Sequence, residues 1–279
     1  MPDKRQRIML AADSGCGKSH AALSFAEEQL LEHPDATIAV IDCDDSLEEI
    51  LPKFPDVAAK LTVGGKRHNW WMIQSYNDLL TAATKVQQML HAGDVLIFEG
   101  LERGWEIAQD YYSEQVFGKS PAEHLMSIRE SRVAASKLDS PVSYDIARDW
   151  PTIRKLWRNE ILVPLTTATS FHIVATTAAK EIVLLSADRS VYNVSPFIRG
   201  IYGEMGAAPE GEKHDTKRFS LAVVLGISGS RYIMSVAKNR SDVSNRRPQN
   251  INWTSMPFWA TLVTNLAEET NDVVAPVPA

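Results

Sequence analysis

The chain has 279 residues, 44% of them hydrophobic and 23% charged, with a net charge of −6. That balance suits a globular α/β chain with a sizeable core, and it excludes a globally basic surface, so any nucleic-acid contact must come from local patches. Two cysteines, Cys16 and Cys43, exclude a disulfide framework and zinc-ligand spacing and fit a reducing, cytoplasmic setting. No secretory apolar region follows Met1, and no run reaches the ~18 apolar residues of a membrane span, so no membrane partner is expected.

The apolar run Ile8–Ala12 reads as a strand, and a helical pattern opens near Lys18. Between them stands Ala12-Asp13-Ser14-Gly15-Cys16-Gly17-Lys18-Ser19, followed by His20. This is the strand, loop and helix order of a phosphate-binding loop, with Ala12 where the pattern G-x-x-x-x-G-K-[ST] has its first glycine. Backbone N–H groups of such a loop curl around phosphates at the positive end of a helix. Lys18 supplies a point charge there, and the Ser19 hydroxyl suits Mg²⁺. The bound group expected is therefore a nucleoside triphosphate, ATP or GTP, with Mg²⁺. A methyl at Ala12 disfavours positive φ, the one departure within the loop. Cys16 lies near a helix N-terminus, which lowers a thiol pKa. The plain alternative is a glycine-bearing turn with an incidental Lys-Ser.

Ala22, Phe25, Ala26 and Leu30 mark a helical face that ends at His33-Pro34-Asp35. Thr37–Ile41 is expected as a buried strand with Asp42-Cys43-Asp44-Asp45 at its carboxyl end. Leu47–Leu51 reads as a short helix before Pro52, capped by Asp45 or Ser46. Asn69–Ile73 follows as a strand whose paired tryptophans belong in the core. Leu79, Ala82, Ala83, Val86 and Leu90 give an amphipathic helix stopped by Gly93. Asp94–Glu99 is a further buried strand, with helical spacing after it at Trp105, Ala108, Tyr112 and Val116. A second helical pattern, about 120–143, carries Arg129, Arg132 and Lys137. A helix beginning near Pro151 leads to the strand Phe171–Thr176, with Pro164 kinking or shortening it.

This alternation predicts a mostly parallel sheet covered by helices on both faces. Phe219–Ile227 and Arg231–Lys238 predict a C-terminal antiparallel strand pair around Gly229. A single domain is expected over 1–268, with a helical excursion at about 113–145, a flexible loop at about 187–218 and a helix from Pro257 to Glu268. Residues 269–279 are expected to be a disordered tail.

Ligands of open parallel sheets bind beyond the carboxyl ends of the strands. Glu99 ends a buried apolar strand, the setting of the Mg²⁺ carboxylate in phosphate-loop enzymes, and Asp42 is a second metal candidate. Asp44 is the candidate for orienting the attacking water, with Glu48 and Glu49 behind it. The plain reading of Glu99 is a helix N-terminal acid.

Ile41-Asp42-Cys43-Asp44 resembles the Ile-Asp-x-acid segment of RecA-like recombination ATPases, and Val236-Ala237-Lys238-Asn239-Arg240 resembles their Lys-Asn-basic segment. With Thr177-Ala178-Ala179-Lys180, the chain is most similar to the phage-encoded RecA-like type related to single-strand annealing. The resemblance implies a RecA-like P-loop fold and Asp44 as the water-activating acid. It also implies Thr176 as the γ-phosphate sensor and Lys238 and Arg240 as groups acting on a neighbour's γ-phosphate. Catalysis would then involve Lys18, Asp44, Glu99, Lys238 and Arg240. The implied protein is an ATPase working as a homo-oligomer on single-stranded DNA in recombination or replication. Lys213, His214, Lys217, Arg218, Arg246 and Arg247 are basic candidates for DNA contact, and Tyr192 and Phe197 for base stacking. The alternative is a slow or non-catalytic nucleotide-binding module that controls assembly with a protein partner. A small-molecule kinase would need a lid, for which only the Arg129 and Arg132 segment offers itself.

Overall fold

The computed structural model describes residues 5–134, 146–167, 170–181, 207–212, 214–228, 231–239 and 249–251. The tail, the helix expected at Pro257–Glu268, Arg240, Arg246, Arg247, Tyr192, Phe197 and Lys213 lie outside the described residues, as does most of the expected 187–218 loop.

The chain alternates as expected. β1 (Arg7–Ala12) leads through the glycine-bearing loop to α1 (Lys18–Glu32), then β2 (Ile38–Asp42). α2 (Pro55–Leu61), a hairpin of β3 (Thr62–Val63) and β4 (Lys66–Arg67), and β5 (Trp70–Met72) follow. α3 (Tyr76–Met89), β6 (Val95–Glu99), α4 (Leu101–Phe117) and α5 (Pro121–Ala134) come next. α6 (Ile146–Leu156) passes through a π-helical turn (Trp157–Leu162) into α7 (Val163–Thr166). β7 (His172–Glu181), β8 (Ala207–Pro209), β9 (Leu221–Ser228), β10 (Arg231–Asn239) and β11 (Gln249–Ile251) complete the described elements.

The sheet order is β11-β10-β9-β1-β7-β6-β2-β5. Strands β9 through β5 of that order are mutually parallel, while β10 and β11 add antiparallel and β8 pairs antiparallel with β7. The expected C-terminal pair thus exists and extends the main sheet, because β9 lies beside β1.

Side chains alternate across a strand, and here that alternation builds two cores. Ile8, Leu10, Ile38, Val40, Val95, Ile97 and Val174 pack with α1 and α2 on one face. Met9, Ala11, Ala39, Ile41, Leu96, Phe98 and Ala175 pack with α3, α4 and the π turn on the other. Trp157 is fully buried in the second core, edge-on to Phe98.

Several local expectations are corrected. The expected helix Leu47–Leu51 is a turn followed by one 3₁₀ turn, Leu51–Lys53, and Ile50 rather than Asp45 or Ser46 occupies its N-cap. α6 starts at Ile146, with Pro151 inside it. Pro164 neither ends nor breaks the helical path. It sits in the first turn of α7, where a missing N–H costs little, directly after the π turn. Part of the expected 187–218 loop is β8 and a 3₁₀ turn, Asp215–Arg218. Arg129 is exposed on α5, which packs on α4. No helix among the described residues is long and apolar enough to cross a membrane.

Candidate functional site

Four segments meet at the carboxyl edge of the parallel strands: the Ala12–Ser19 loop, the turn after β2, Glu99–Gly100, and Thr176–Thr177. Register brings them level. Asp42 pairs with Glu99, Phe98 with Ala175, and Leu10 with Thr176. Asp42, Glu99 and Thr176 share the parity of Val40, Ile97 and Val174, so all three point to the α1 face, where Ser19 opens its helix.

The loop takes its shape from Gly15 (φ 79°) and Gly17 (φ 87°), the latter serving as N-cap of α1. Both lie in the left-handed region that glycine adopts without strain. Ala12 does not. It is the fully buried last residue of β1, and positive φ among described non-glycine residues falls at Asp45 and Asn69. The penalty expected at Ala12 therefore does not arise. Lys18 Nζ donates to the Ala12 carbonyl at 3.2 Å, held beneath its own loop. The Cys16 thiol is raised by burial and by Asp13, with Lys18 and the Asp13 backbone opposing, which reverses the lowered pKa expected there. His20 packs edge-on to Phe54, with ring centres 4.8 Å apart.

Glu99 is the centre of the site. Its side chain is buried, and Oε1 accepts from Ser19 Oγ at 2.5 Å and from Ser46 Oγ at 3.0 Å. Oε2 is buried with no hydrogen-bond partner. Burial pushes this carboxyl up to about 7; the Ser19 and Ser46 hydroxyls, and the nearby Thr176 hydroxyl, oppose the rise, and the Asp42 charge adds to it. Gly100 is the N-cap of α4, so Glu99 does stand at a helix start, as its plain reading has it, while its carboxylate accepts from Ser19 and Ser46.

Asp42 is fully buried and braces the turn that follows it. Oδ1 accepts from the N–H groups of Asp44 (3.0 Å) and Asp45 (2.8 Å), and Oδ2 accepts from Trp70 Nε1 at 3.1 Å. Both oxygens are committed to the protein, which corrects the expectation of Asp42 as a metal ligand. Asp44 lies beyond this brace, exposed, with its carboxylate against Gly100. Partial burial raises its pKa, Lys18 and Arg103 lower it, and Asp42 and Glu106 raise it further. Glu48 is turned away to an ion pair with Arg67, which also holds Asp45 and lies over the Trp70 ring.

Thr176 is fully buried, and its Oγ1 accepts from Gly100 N at 3.0 Å. It supports the Glu99–Gly100 turn from below, and its hydroxyl also faces the Glu99 carboxyl. Lys238 lies in β10 opposite Ala222, which pairs with Met9 of β1. One strand, β9, separates it from the loop strand, and its level is that of the amino half of β1. Lys238 is therefore not brought to its own chain's site.

Sequence reasoning missed Ser46 and Gly100. The signal for Ser46 was a hydroxyl two residues past Asp44. For Gly100 it was a glycine directly after a strand-end acid. A separate cleft of about 410 Å³ opens at the opposite, amino edge, lined by Arg5, His33, Asp94 and His172 among others. Asp94 there accepts from Thr37 N and His91 N, and His172 Nδ1 accepts from Gln6 N, so its polar groups serve the fold.

The described residues contain no cluster of three His, Cys, Asp or Glu side chains able to cage a metal. Mg²⁺ does not require one, since it takes one or two protein oxygens and fills its shell with phosphates and water. Ser19 Oγ and the partnerless Glu99 Oε2 fit that donor set. The fold and site define an α/β protein whose sheet edge gathers a glycine-bearing loop, a lysine, two hydroxyls and a buried carboxylate. Compared with models of known protein families and with curated proteins, the chain matches none.

Proposed function

We propose that this chain is an ATP-binding and ATP-hydrolysing enzyme of the RecA-like P-loop type, acting as an oligomer on single-stranded DNA in phage-type recombination or replication. The observation that carries the reading is the meeting of Ser19 and Glu99 at 2.5 Å, at the mouth of a loop that also holds Lys18. A hydroxyl and a partnerless carboxylate oxygen beside a helix N-terminus have the chemistry of an Mg²⁺-nucleotide site. Convergence of the Asp42–Asp44 and Thr176–Thr177 segments at the same edge supports the RecA-like resemblance.

In this reading Lys18 exchanges the Ala12 carbonyl for phosphate oxygens, and the loop N–H groups hold the β-phosphate. Bound Mg²⁺ neutralises charge on the phosphates. Asp44 orients a water in line with the γ-phosphate and accepts its proton as the bond from the γ-phosphorus to the departing ADP oxygen breaks. The polynucleotide follows from the resemblance; His214, Lys217 and Arg218 are its candidate contacts among the described residues, and His214 is also bonded to Glu212.

ATP turnover measured against protein concentration, with and without single-stranded DNA, tests the whole reading. Turnover that rises more than linearly, and further with DNA, is expected, and Lys18→Ala should abolish it. Unchanged turnover in Lys18→Ala sinks the assignment. One observation favours the second reading, a slow or non-catalytic assembly module. Burial raises the Glu99 carboxyl to about 7, which sets a proton in competition with a metal ion there. Tight nucleotide binding without turnover under any of these conditions selects that module.

A further inference from the structure

We infer that Ser46 is a positioning residue for Asp44, fastening the turn after β2 to the carboxylate of Glu99. The inference rests on the ATPase reading above. The root of the turn is fixed by backbone. Cys43 N donates to the Glu99 carbonyl at 3.0 Å, and Asp42 Oδ1 accepts from the next two N–H groups. Asp45 then takes φ 53°, uncommon for a residue with a Cβ. One residue on, Ser46 Oγ donates to Glu99 Oε1, the same oxygen that accepts from Ser19. Asp44 sits between these two attachments with its carboxylate over Gly100.

Ser46 has no competing structural task in view. It is exposed, and the 3₁₀ turn downstream is N-capped by Ile50 without a side-chain cap. Leu47, next in the chain, is fully buried and anchors the far side of the turn. The Ser46 hydroxyl is thus a fastening between an anchored turn and the acid beside the phosphate loop. When Ser19 Oγ turns to its ligand, Ser46 still holds Glu99 Oε1, and Asp44 keeps its place above Gly100.

The test compares Ser46→Ala, Ser46→Thr and Lys18→Ala in the full chain by three measurements. These are Mg²⁺-ATP turnover, equilibrium binding of a fluorescent ATP analogue, and the alkylation rate of Cys43 without nucleotide, read by mass spectrometry of its peptide. Cys43 reports the seating of the turn, because its side chain packs on the core on the α3 and α4 side. Ser46→Ala should lose about 10- to 100-fold in kcat, the range expected when a reacting group is displaced by roughly 1 Å. Its nucleotide affinity should stay unchanged while Cys43 alkylates faster, and Ser46→Thr should restore both. Wild-type turnover and Cys43 reactivity in Ser46→Ala, with Lys18→Ala inactive, would overturn the inference and leave the ATPase reading standing. Loss of nucleotide affinity in Ser46→Ala would also overturn it, making Ser46 a binding group. If Lys18→Ala stays active, the ATPase reading falls instead, and Cys43 reactivity alone then decides whether Ser46 seats the turn.

Discussion

The carboxylate of Asp44 lies directly on Gly100. A Cβ built at Gly100 would stand 2.7 Å from both Cγ and Oδ1 of Asp44 and 2.9 Å from Oδ2. Gly100 also takes φ 76° as the N-cap of α4, so the position demands glycine twice, for backbone freedom and for the space the acid occupies. Gly100→Ala should therefore cost about 1–2 kcal/mol of stability from backbone strain. It should also expel Asp44 from its place, lowering turnover by about 100-fold while nucleotide still binds. Chemical denaturation and steady-state kinetics read the two effects separately. A variant with normal kcat would show that Asp44 works from some other position.

Glu99→Gln keeps the shape of the side chain, and its carbonyl oxygen can still accept from Ser19 and Ser46. What it removes is the charge. Nucleotide affinity without Mg²⁺ should be unchanged, and the gain in affinity that Mg²⁺ brings should be lost. Turnover should fall by at least about 100-fold, the scale of removing an electrostatic group aimed at the transferred phosphoryl. Titrating a fluorescent nucleotide with and without Mg²⁺ checks this; a full Mg²⁺ response in Glu99→Gln would rule Glu99 out as a metal-side ligand.

Much of this fold is legible in the chain because its parallel strands are buried on both faces. Such strands read as continuous apolar runs, each ended by an acid or a small residue, as at Ile38–Asp42 and Val95–Glu99. α2 escapes because seven residues beginning at a proline are too few to show a helical period. The start of α6 is displaced because a proline ordinarily marks a first turn, and here Pro151 stands inside the helix. The loop, Lys18, Ser19 and Glu99 are legible as a motif and a strand end. Their partners are not: that Ser46 and Ser19 share one oxygen of Glu99, or that Trp70 braces Asp42, depends on register across the five strands β1-β7-β6-β2-β5. No local pattern encodes such register.

Asp215 offers a pH dependence outside the site. It is buried, with both carboxyl oxygens near Trp157 Nε1, at 3.2 and 3.1 Å. Burial pushes its pKa up to about 8; Glu212 adds to the rise, while Trp157, the Glu212 backbone and Arg218 oppose it. A carboxyl raised in the folded state favours folding fully below its unfolded value, near 4, and that contribution is lost as pH climbs through about 8. Asp215→Asn keeps an acceptor for Trp157 and removes the titration. Its stability should fall less steeply between pH 5 and 8, by up to about 1.4 kcal/mol per pH unit, and exceed wild type at pH 8. Denaturant titrations at several pH values measure this; parallel curves for the two proteins would place the titrating group elsewhere. Trp157→Phe should destabilise at every pH, since it leaves Asp215 buried without its donor.

The position of Lys238 turns the proposed oligomer into a measurable question. β10 places it opposite Ala222, with β9 between it and β1 and level with Met9, away from its own chain's Ala12–Ser19 loop. If Lys238 acts at all in hydrolysis, it acts on a neighbour. Lys18→Ala and Lys238→Ala should each be inactive alone for different reasons, the first lacking a working loop and the second lacking the group donated across the interface. Mixed in equal amounts, they should regain activity. In a head-to-tail assembly about a quarter of the sites would pair an intact loop with a neighbour that carries Lys238. Turnover of the mixture, compared with each variant alone at the same total concentration, is the readout. Inactive mixtures that still co-assemble would exclude action across the interface. Full activity of Lys238→Ala by itself would remove Lys238 from the mechanism and leave Asp44, Glu99 and Lys18 to complete the site within one chain.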